Sequence, residues 1–223
     1  MSKKRVEKVK VPHYNRVKPS RAPKNKKEWS LAREAGRKMI HLLSLFFILL
    51  FWYLSSAYGK TWALTSLVFL LIIFLEVEFI RIELGKKIPL LHLAYREKEK
   101  ETIAGNVFFL ISTIIVLAVF DLDVAIAAIL MTTFGDLAAA LIGRRFGRTW
   151  ITNHVALEGV LAQFVVDLII GLLVVGFAVG GVMAITSTLV ESSVRKLDDN
   201  LVIPIFAGFN GQIMRFILNS FTP

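Results

Sequence analysis

The sequence predicts an all-α protein, a polytopic membrane bundle of about seven transmembrane helices with its N-terminus in the cytoplasm. Three observations predict it. The chain is 55% hydrophobic, with mean hydropathy +0.62, far above a soluble average. Apolar runs recur along it at close to the roughly 20 helical residues that a bilayer crossing takes. The basic residues are also one-sided. Of 27 Lys and Arg, 14 fall in residues 1–38; the segments 81–102, 143–154 and 195–200 raise that side to 25, leaving only Lys60 and Arg215. Such a bias orients the bundle, basic loops inside. The +10 net charge would otherwise suit nucleic acid, but its placement at one membrane face argues for no nucleic-acid partner. The chain has no cysteine, which excludes disulfides and thiolate metal sites.

Residues 1–30 are basic and carry Pro12, Pro19 and Pro23. They lack the apolar core and cleavage site of a signal peptide, and read as a mostly disordered cytoplasmic tail. Residues 31–223 read as a single transmembrane catalytic domain. The first span covers about 39–57, and Glu34, Arg37, Lys38 and His41 share one face of its lead-in at spacings of three and four. The second covers about 62–80. A charged loop, 81–102, comes next, with Leu90 to Tyr95 as an interfacial turn and an alternating run, Arg96 to Glu101, that contains Lys98 and Lys100.

The third span covers about 103–120 and ends in the acidic turn Asp121-Leu122-Asp123. The fourth, about 124–143, holds Asp136 near its far end. The fifth, about 156–176, opens with Glu158 and carries Asp167 near mid-depth, with Arg215 of the last span as its candidate partner. Gly176, Gly180 and Gly181 are expected to make a turn before a short sixth span, about 182–194, in which Glu191 stands four residues from Arg195. The seventh runs from 201 to about 220, with Pro204 expected in its first turn, where proline is tolerated.

Chemistry concentrates where these spans leave the membrane on the basic side. A carboxylate ionised in hydrocarbon costs about 3 kcal/mol on insertion scales, so Asp136 should face a bundle interior or wet cavity. Ala140 and Gly143 come after it on the same helix face and permit close approach of a backbone or ligand. Arg144, Arg145 and Arg148, set about Gly143 and Gly147, offer forked cations suited to phosphate. Asp198-Asp199-Asn200 supplies hard oxygens of the kind Mg²⁺ takes, or else a plain Asx cap for the last helix. Walker loops, GxGxxG turns, nucleophile elbows and HExxH helices are absent from the sequence. Phosphate handling would therefore be built from dispersed acids and cations, gathered at one face for a soluble co-substrate.

The run Gly135-Asp136-Leu137-Ala138-Ala139-Ala140-Leu141-Ile142-Gly143-Arg144-Arg145-Phe146-Gly147 resembles the Gly-Asp-x-x-Ala-x-x-x-Gly-Arg-x-Gly-like signature of the CTP-dependent polyisoprenoid-lipid kinases. That group includes dolichol kinase, phytol kinase and the CTP-dependent diacylglycerol kinase. The likeness covers most of residues 30–210. It takes in Glu34 with Arg37-Lys38 and His41, the charged run before span three, Leu157-Glu158-Gly159, and Glu191 followed by Asp198-Asp199-Asn200 and Pro204.

The resemblance implies transfer of the γ-phosphoryl of CTP to a membrane lipid alcohol, with Mg²⁺ or another divalent cation. The alcohol is a polyprenol or dolichol, a phytol-like isoprenoid alcohol, or a diacylglycerol-type lipid. It implies Asp136, Glu158 and Glu191 as catalytic acids, and Arg37, Lys38, Arg144, Arg145, Arg148 and His154 on nucleotide phosphate. Asp136, Asp198, Asp199 and Asn200 fall to the metal; Glu34, His41, Lys98 and Lys100 are further candidates. The family's Lys and Ser or Thr before Leu-Glu-Gly are replaced here by Asn153-His154-Val155-Ala156, with His154 or Arg148 as the substitute.

A phosphatidate cytidylyltransferase, similar around the same Gly-Asp and Glu-Gly motifs, is the alternative enzyme. A transporter with Asp167 and Arg215 as intramembrane stations is the alternative from another class, and one-sided charge argues against it. The short loops and lack of a soluble domain in these residues suggest a multi-pass protein of a prokaryotic cell membrane, its active face cytoplasmic.

Overall fold

The structure, a computed structural model, describes residues 31–83, 102–151, 155–193 and 197–221, the side chains of 31–44 excepted. Among these residues there is no strand. The helices are α1 (Leu31–Tyr58), α2 (Lys60–Glu83), α3 (Gly105–Val119), α4 (Leu122–Leu130), α5 (Asp136–Phe146), α6 (Leu157–Val174), α7 (Phe177–Ser193) and α8 (Asp199–Phe221), with a π-helical turn, Met131–Gly135, joining α4 to α5. With α4, the π turn and α5 taken as one rod, the described residues make seven rods. Four of them are long and apolar enough to cross a membrane, and α1, α3 and α7 carry shorter apolar helices.

The bundle has an apolar exterior as well as an apolar core. Large side chains face outward: Leu173 is 78% exposed, Phe177 75% and Phe216 73%. Inside, small ones stand among large ones, with Ala125, Ala127, Ala128, Ala184 and Ala207 wholly buried beside Phe47, Leu110 and Met183. Hydrocarbon solvates Leu and Phe as well as a core does, so close backbone approach is what association gains in a bilayer. The α6–α7 crossing shows it: a Cβ built on Gly171 would stand 2.5 Å from the Cα of Gly180. The α4 helix is the axis, with Val124, Ala125, Ala127, Ala128 and Ile129 all wholly buried.

Connections alternate between the two ends. Gly59 (φ +92) turns α1 into α2, and Gly176 (φ +86) turns α6 into α7, both in the left-handed region that glycine adopts cheaply. At the other end, Glu78 is buried and clamps the start of α3. Its carboxylate pairs with Arg81 and accepts the Ala104 N–H at 3.0 Å, while Arg81 donates to the Thr102 carbonyl at 2.7 Å.

Several expectations change here. Arg215 is not the partner of Asp167. Its guanidinium grips Asp123 at 2.5 Å and Asp121 at 3.2 Å, tying the end of α8 to the α3–α4 turn. Gln212 donates to Asp121 as well, at 3.0 Å, and this bond, then Arg215, holds the Asp121 carboxyl below its ordinary range. Gly180 and Gly181 are helical rather than part of the turn, and α7 begins at Phe177, five residues before the expected span.

Pro204 lies in the second turn of α8, because that helix starts at Asp199. A proline there cannot bond the carbonyl four residues back, which is Asn200. Ser112 on α3 fills the gap, its hydroxyl donating to the Asn200 carbonyl at 2.7 Å. The expected turn at Leu90 to Tyr95 and the run Arg96 to Glu101 lie outside the described residues, as does the expected tail, 1–30.

Candidate active site

One end of the bundle collects the end of α2, the starts of α3 and α6, the ends of α5 and α7, and the start of α8. Asp136 is the first residue of α5, directly after the π turn. A π turn inserts one residue into a helix and re-aims the side chains beyond it, and such turns gather at functional sites. Gly135, the last residue of the turn, is held closely: a Cβ there would collide with Oδ1 of Asp167 and stand 3.1 Å from Cγ of Gln163. The glycine of the Gly-Asp pair is thus explained by what lies against it. Only a bare backbone lets α6 press its polar side chains onto the residue before Asp136.

Glu191, on the last turn of α7, stands within electrostatic reach of Asp136, Asp199 and Asp167, with Gln163 beside it. Its Oε2 is buried and makes no hydrogen bond. Asp198 caps α8. Its carboxylate accepts the Asn200 N–H at 3.1 Å and the Asn200 side-chain amide at 2.9 Å, and its carbonyl receives the N–H groups of Leu201 and Val202. The Asx cap is therefore formed. Burial, then the neighbouring Asp199, push the Asp198 carboxyl above its ordinary range.

The arginine loop is built on glycines. Gly143 of α5 and Gly159 of α6 meet backbone to backbone; a Cβ on Gly159 would stand 2.8 Å from the Ala139 carbonyl oxygen and 3.1 Å from Cα of Gly143. Gly143 and Ala139 therefore form the crossing, rather than Gly143 and Ala140. Beyond it, the Leu157 N–H donates to the Thr149 carbonyl at 2.8 Å and the Ile151 N–H to the Val155 carbonyl at 2.9 Å, a short antiparallel return. Glu158 closes this loop, both carboxylate oxygens accepting the Thr149 N–H at 3.0 and 3.3 Å. Arg148 stands exposed on it, whereas Arg144 and Arg145, expected on the loop, stand exposed on the last turn of α5 just before it, because the helix continues to Phe146.

Asp136 and Asp199 thus both lie within electrostatic reach of Glu191, with Asp198 and Asn200 at the start of α8. Glu158 lies on the arginine loop, engaged with backbone. Glu34, Arg37, Lys38 and His41 fall on the first turns of α1, of which only the backbone course is described; Lys98, Lys100 and His154 lie outside the described residues. Sequence reasoning passes over Gln163 and Ser187 and assigns Asp167 no part in the site. Their signal is there: Gln163 and Asp167 are four apart, both polar within an apolar helix, and Ser187 is four before Glu191.

The donor set suits a hard cation in chemistry. Among the described residues no three His, Cys, Asp or Glu stand as a ready metal group. The acids here would supply the one or two carboxylates that Mg²⁺ takes from protein, with water and phosphate completing its shell.

No family profile matches the chain, and no solved structure matches it. Curated relatives do. It is 28% identical over 146 residues to CTP-dependent diacylglycerol kinase 1 of Saccharomyces cerevisiae, which covers 61% of this chain and 48% of that protein. It is 35% identical over 72 residues to the protein of the same name from Schizosaccharomyces pombe, covering 31% and 33%. With that of Eremothecium gossypii it shares 34% over 79 residues, covering 34% and 25%. The chain thus spans less than half the length of the curated relatives it matches. The similarity that the Gly135–Gly147 run suggests is supported by these matches, and the family it points to is that of the CTP-dependent lipid kinases.

Proposed function

We propose that this protein is a CTP-dependent lipid kinase that moves the γ-phosphoryl group of CTP to the hydroxyl of a lipid alcohol in its own membrane. The observation that carries the reading is the meeting of Asp136, Glu191 and Asp199, from three helices, at the same bundle end as the arginine loop. That end is the basic one, and the cytoplasm is where CTP would reach it. The relatives' names support CTP as the donor. Among acceptors they favour a diacylglycerol-type lipid over a polyprenol or phytol-like alcohol.

Phosphoryl transfer asks the protein mainly for position and charge compensation. The lipid hydroxyl oxygen attacks the γ-phosphorus. The bond from that phosphorus to the bridging oxygen breaks, CDP leaves, and the hydroxyl proton passes to a carboxylate of the cluster, Asp136 or Glu191. Arg144 and Arg145 meet the phosphates from the end of α5 and Arg148 from the loop, and Glu158 serves them by holding the loop in shape. A divalent cation, held by one or two of the carboxylates of Asp136, Asp198 and Asp199 with water and phosphate completing its shell, would supply neutralisation of the triphosphate charge.

Following the atoms tests this. Membranes holding the protein should pass label from γ-labelled CTP into an organic-soluble monophosphate, and none from α-labelled CTP. Label entering lipid from the α position would mean a cytidylyltransferase instead. No transfer of either label, with diacylglycerol, polyprenol, phytol and phosphatidate each supplied, would remove both enzymes. Within the kinase reading, Asp136→Asn should cut turnover by about 10² or more in protein that still purifies as a folded monodisperse species.

A further inference from the structure

Below the acid cluster, on the membrane side, lies a second group of polar side chains that the kinase chemistry does not use. Asp167 is wholly buried and neither of its carboxylate oxygens makes a hydrogen bond. Gln163 and Ser187 flank it, 1% and 0% exposed, near enough to act on its carboxylate, yet neither the Gln163 amide nitrogen nor the Ser187 hydroxyl reaches hydrogen-bonding geometry. Thr188 is a further unpartnered hydroxyl in the same turn of α7. Buried polar groups in native proteins almost always find partners. Lacking water, a bilayer makes each exception costlier. Several such exceptions in adjoining turns of α6 and α7 call for a ligand.

Its chemistry can be read from the groups. A cation would want oxygens alone, and among the described residues no ready metal group exists. Here a donor, the amide nitrogen, stands beside carboxylate acceptors and a hydroxyl able to do either. That mixture fits a group that both donates and accepts through one oxygen, an alcohol or water. The position discriminates further. Ser187 is one helical turn, roughly 6 Å, deeper than Glu191, and Asp167 lies against Gly135, next to Asp136. In-line transfer needs the attacking oxygen on the far side of the γ-phosphorus from the leaving nucleotide. With the nucleotide on the aqueous side, the attacking oxygen comes from the hydrocarbon side.

We propose that Gln163, Asp167 and Ser187 form the intramembrane seat for the hydroxyl of the lipid acceptor, presenting its oxygen upward to the phosphate held among Asp136, Glu191 and Asp199. The seat rests on the lipid-kinase reading for its purpose, though binding can be measured without catalysis. Its enclosure keeps bulk water from the attacking position and so limits wasteful hydrolysis of CTP.

The test uses the full chain in lipid nanodiscs without nucleotide. Two photoreactive probes are crosslinked and mapped by mass spectrometry, a diacylglycerol and a polyprenol, each with a diazirine near its hydroxyl. At least one should label α6 or α7 around Gln163 to Ser187. Free alcohol should compete, and its ester, triacylglycerol or polyprenyl acetate, should not. Gln163→Met and Ser187→Ala should each cut that labelling about tenfold, the worth of one buried hydrogen bond. In turnover they should raise KM for the lipid and leave KM for CTP unchanged, a split that loosened packing would not give. Esters competing as well as alcohols would mean that the cluster holds water or structure only, and would overturn the seat. So would unchanged labelling in the folded Gln163 and Ser187 variants. Hydroxyl-dependent labelling without any γ-transfer would retain the seat and remove the kinase. Transfer with labelling indifferent to both variants would do the reverse.

Discussion

Asn200 shows how a single residue can join cap, kink and neighbour. Its N–H and side-chain amide go to Asp198, while its carbonyl, which Pro204 cannot serve, takes the Ser112 hydroxyl. Ser112→Ala should therefore cost about 1–3 kcal/mol, the penalty for a buried acceptor left alone. Pro204→Ala restores an N–H four residues on, so Ser112→Ala made in that background should cost much less. A double-mutant cycle on denaturant or thermal unfolding measures the coupling; additive effects would mean that the hydroxyl is not replacing the missing bond. Sequence alone places Pro204 near the helix start and cannot see Ser112, 88 residues from Asn200. Asp121 gives the pH counterpart. Its carboxyl is held low by Gln212 and Arg215, so its contribution to stability is present above the ordinary carboxylate value. That contribution is lost as pH falls through the depressed one. Amide exchange over the last turns of α8 should accelerate in that acid window; Gln212→Ala should weaken the dependence, and Arg215→Met, which frees both Asp121 and Asp123, should remove it.

At the scale of elements, close crossings decide what a helix can present. The α5–α6 crossing at Gly143 and Gly159 sets where the arginine loop leaves the bundle. Gly159→Ala would drive a methyl to 2.8 Å from a backbone carbonyl, which cannot swing aside as a side chain would. It should destabilise by about 1–3 kcal/mol and weaken CTP binding, seen as a lower melting temperature and a raised KM for CTP. Gly181→Ala meets nothing within 4 Å and, in mid-helix, should be neutral or stabilising by about 0.5–1 kcal/mol. Similar losses at both sites would mean that helix propensity, not the crossing, governs. Runs of apolar residues announce themselves, which is why the spans were legible in order, most ends to within about three residues, while α7 begins five residues before its expected start. The π turn was not, since nothing in Met131-Thr132-Thr133-Phe134-Gly135 departs locally from α-helix. It comes with Asp167 and Gln163 lying against Gly135, a contact made across the fold.

For the molecule as a whole, the two ends carry different chemistry. The end with Asp136, Glu191 and Asp198–Asn200 is where charge and buried acid meet, and the other is closed by Arg215 on Asp121 and Asp123. The acids at the first end were legible because carboxylates within apolar runs are conspicuous. The seat beneath them was not, because Gln and Ser in a membrane helix carry little sequence signal until two helices meet. The orientation of the ends in the membrane rests on the 25 of 27 basic residues that the sequence assigns to the side on which the acids lie. With that excess, this end should face the cytoplasm. Single cysteines in the cysteine-free chain test it in sealed cells with an impermeant thiol reagent. Lys87 and Arg148 mark the basic end. Tyr58, Asp123 and Phe177 mark the other, chosen because Tyr58 is 66% and Phe177 75% exposed, whereas a side chain at Gly180 would collide with Gly171. The second set should label from outside and the first only after the membrane is opened. The reverse pattern would put the acid end away from cytoplasmic CTP, and the kinase reading would lose its donor.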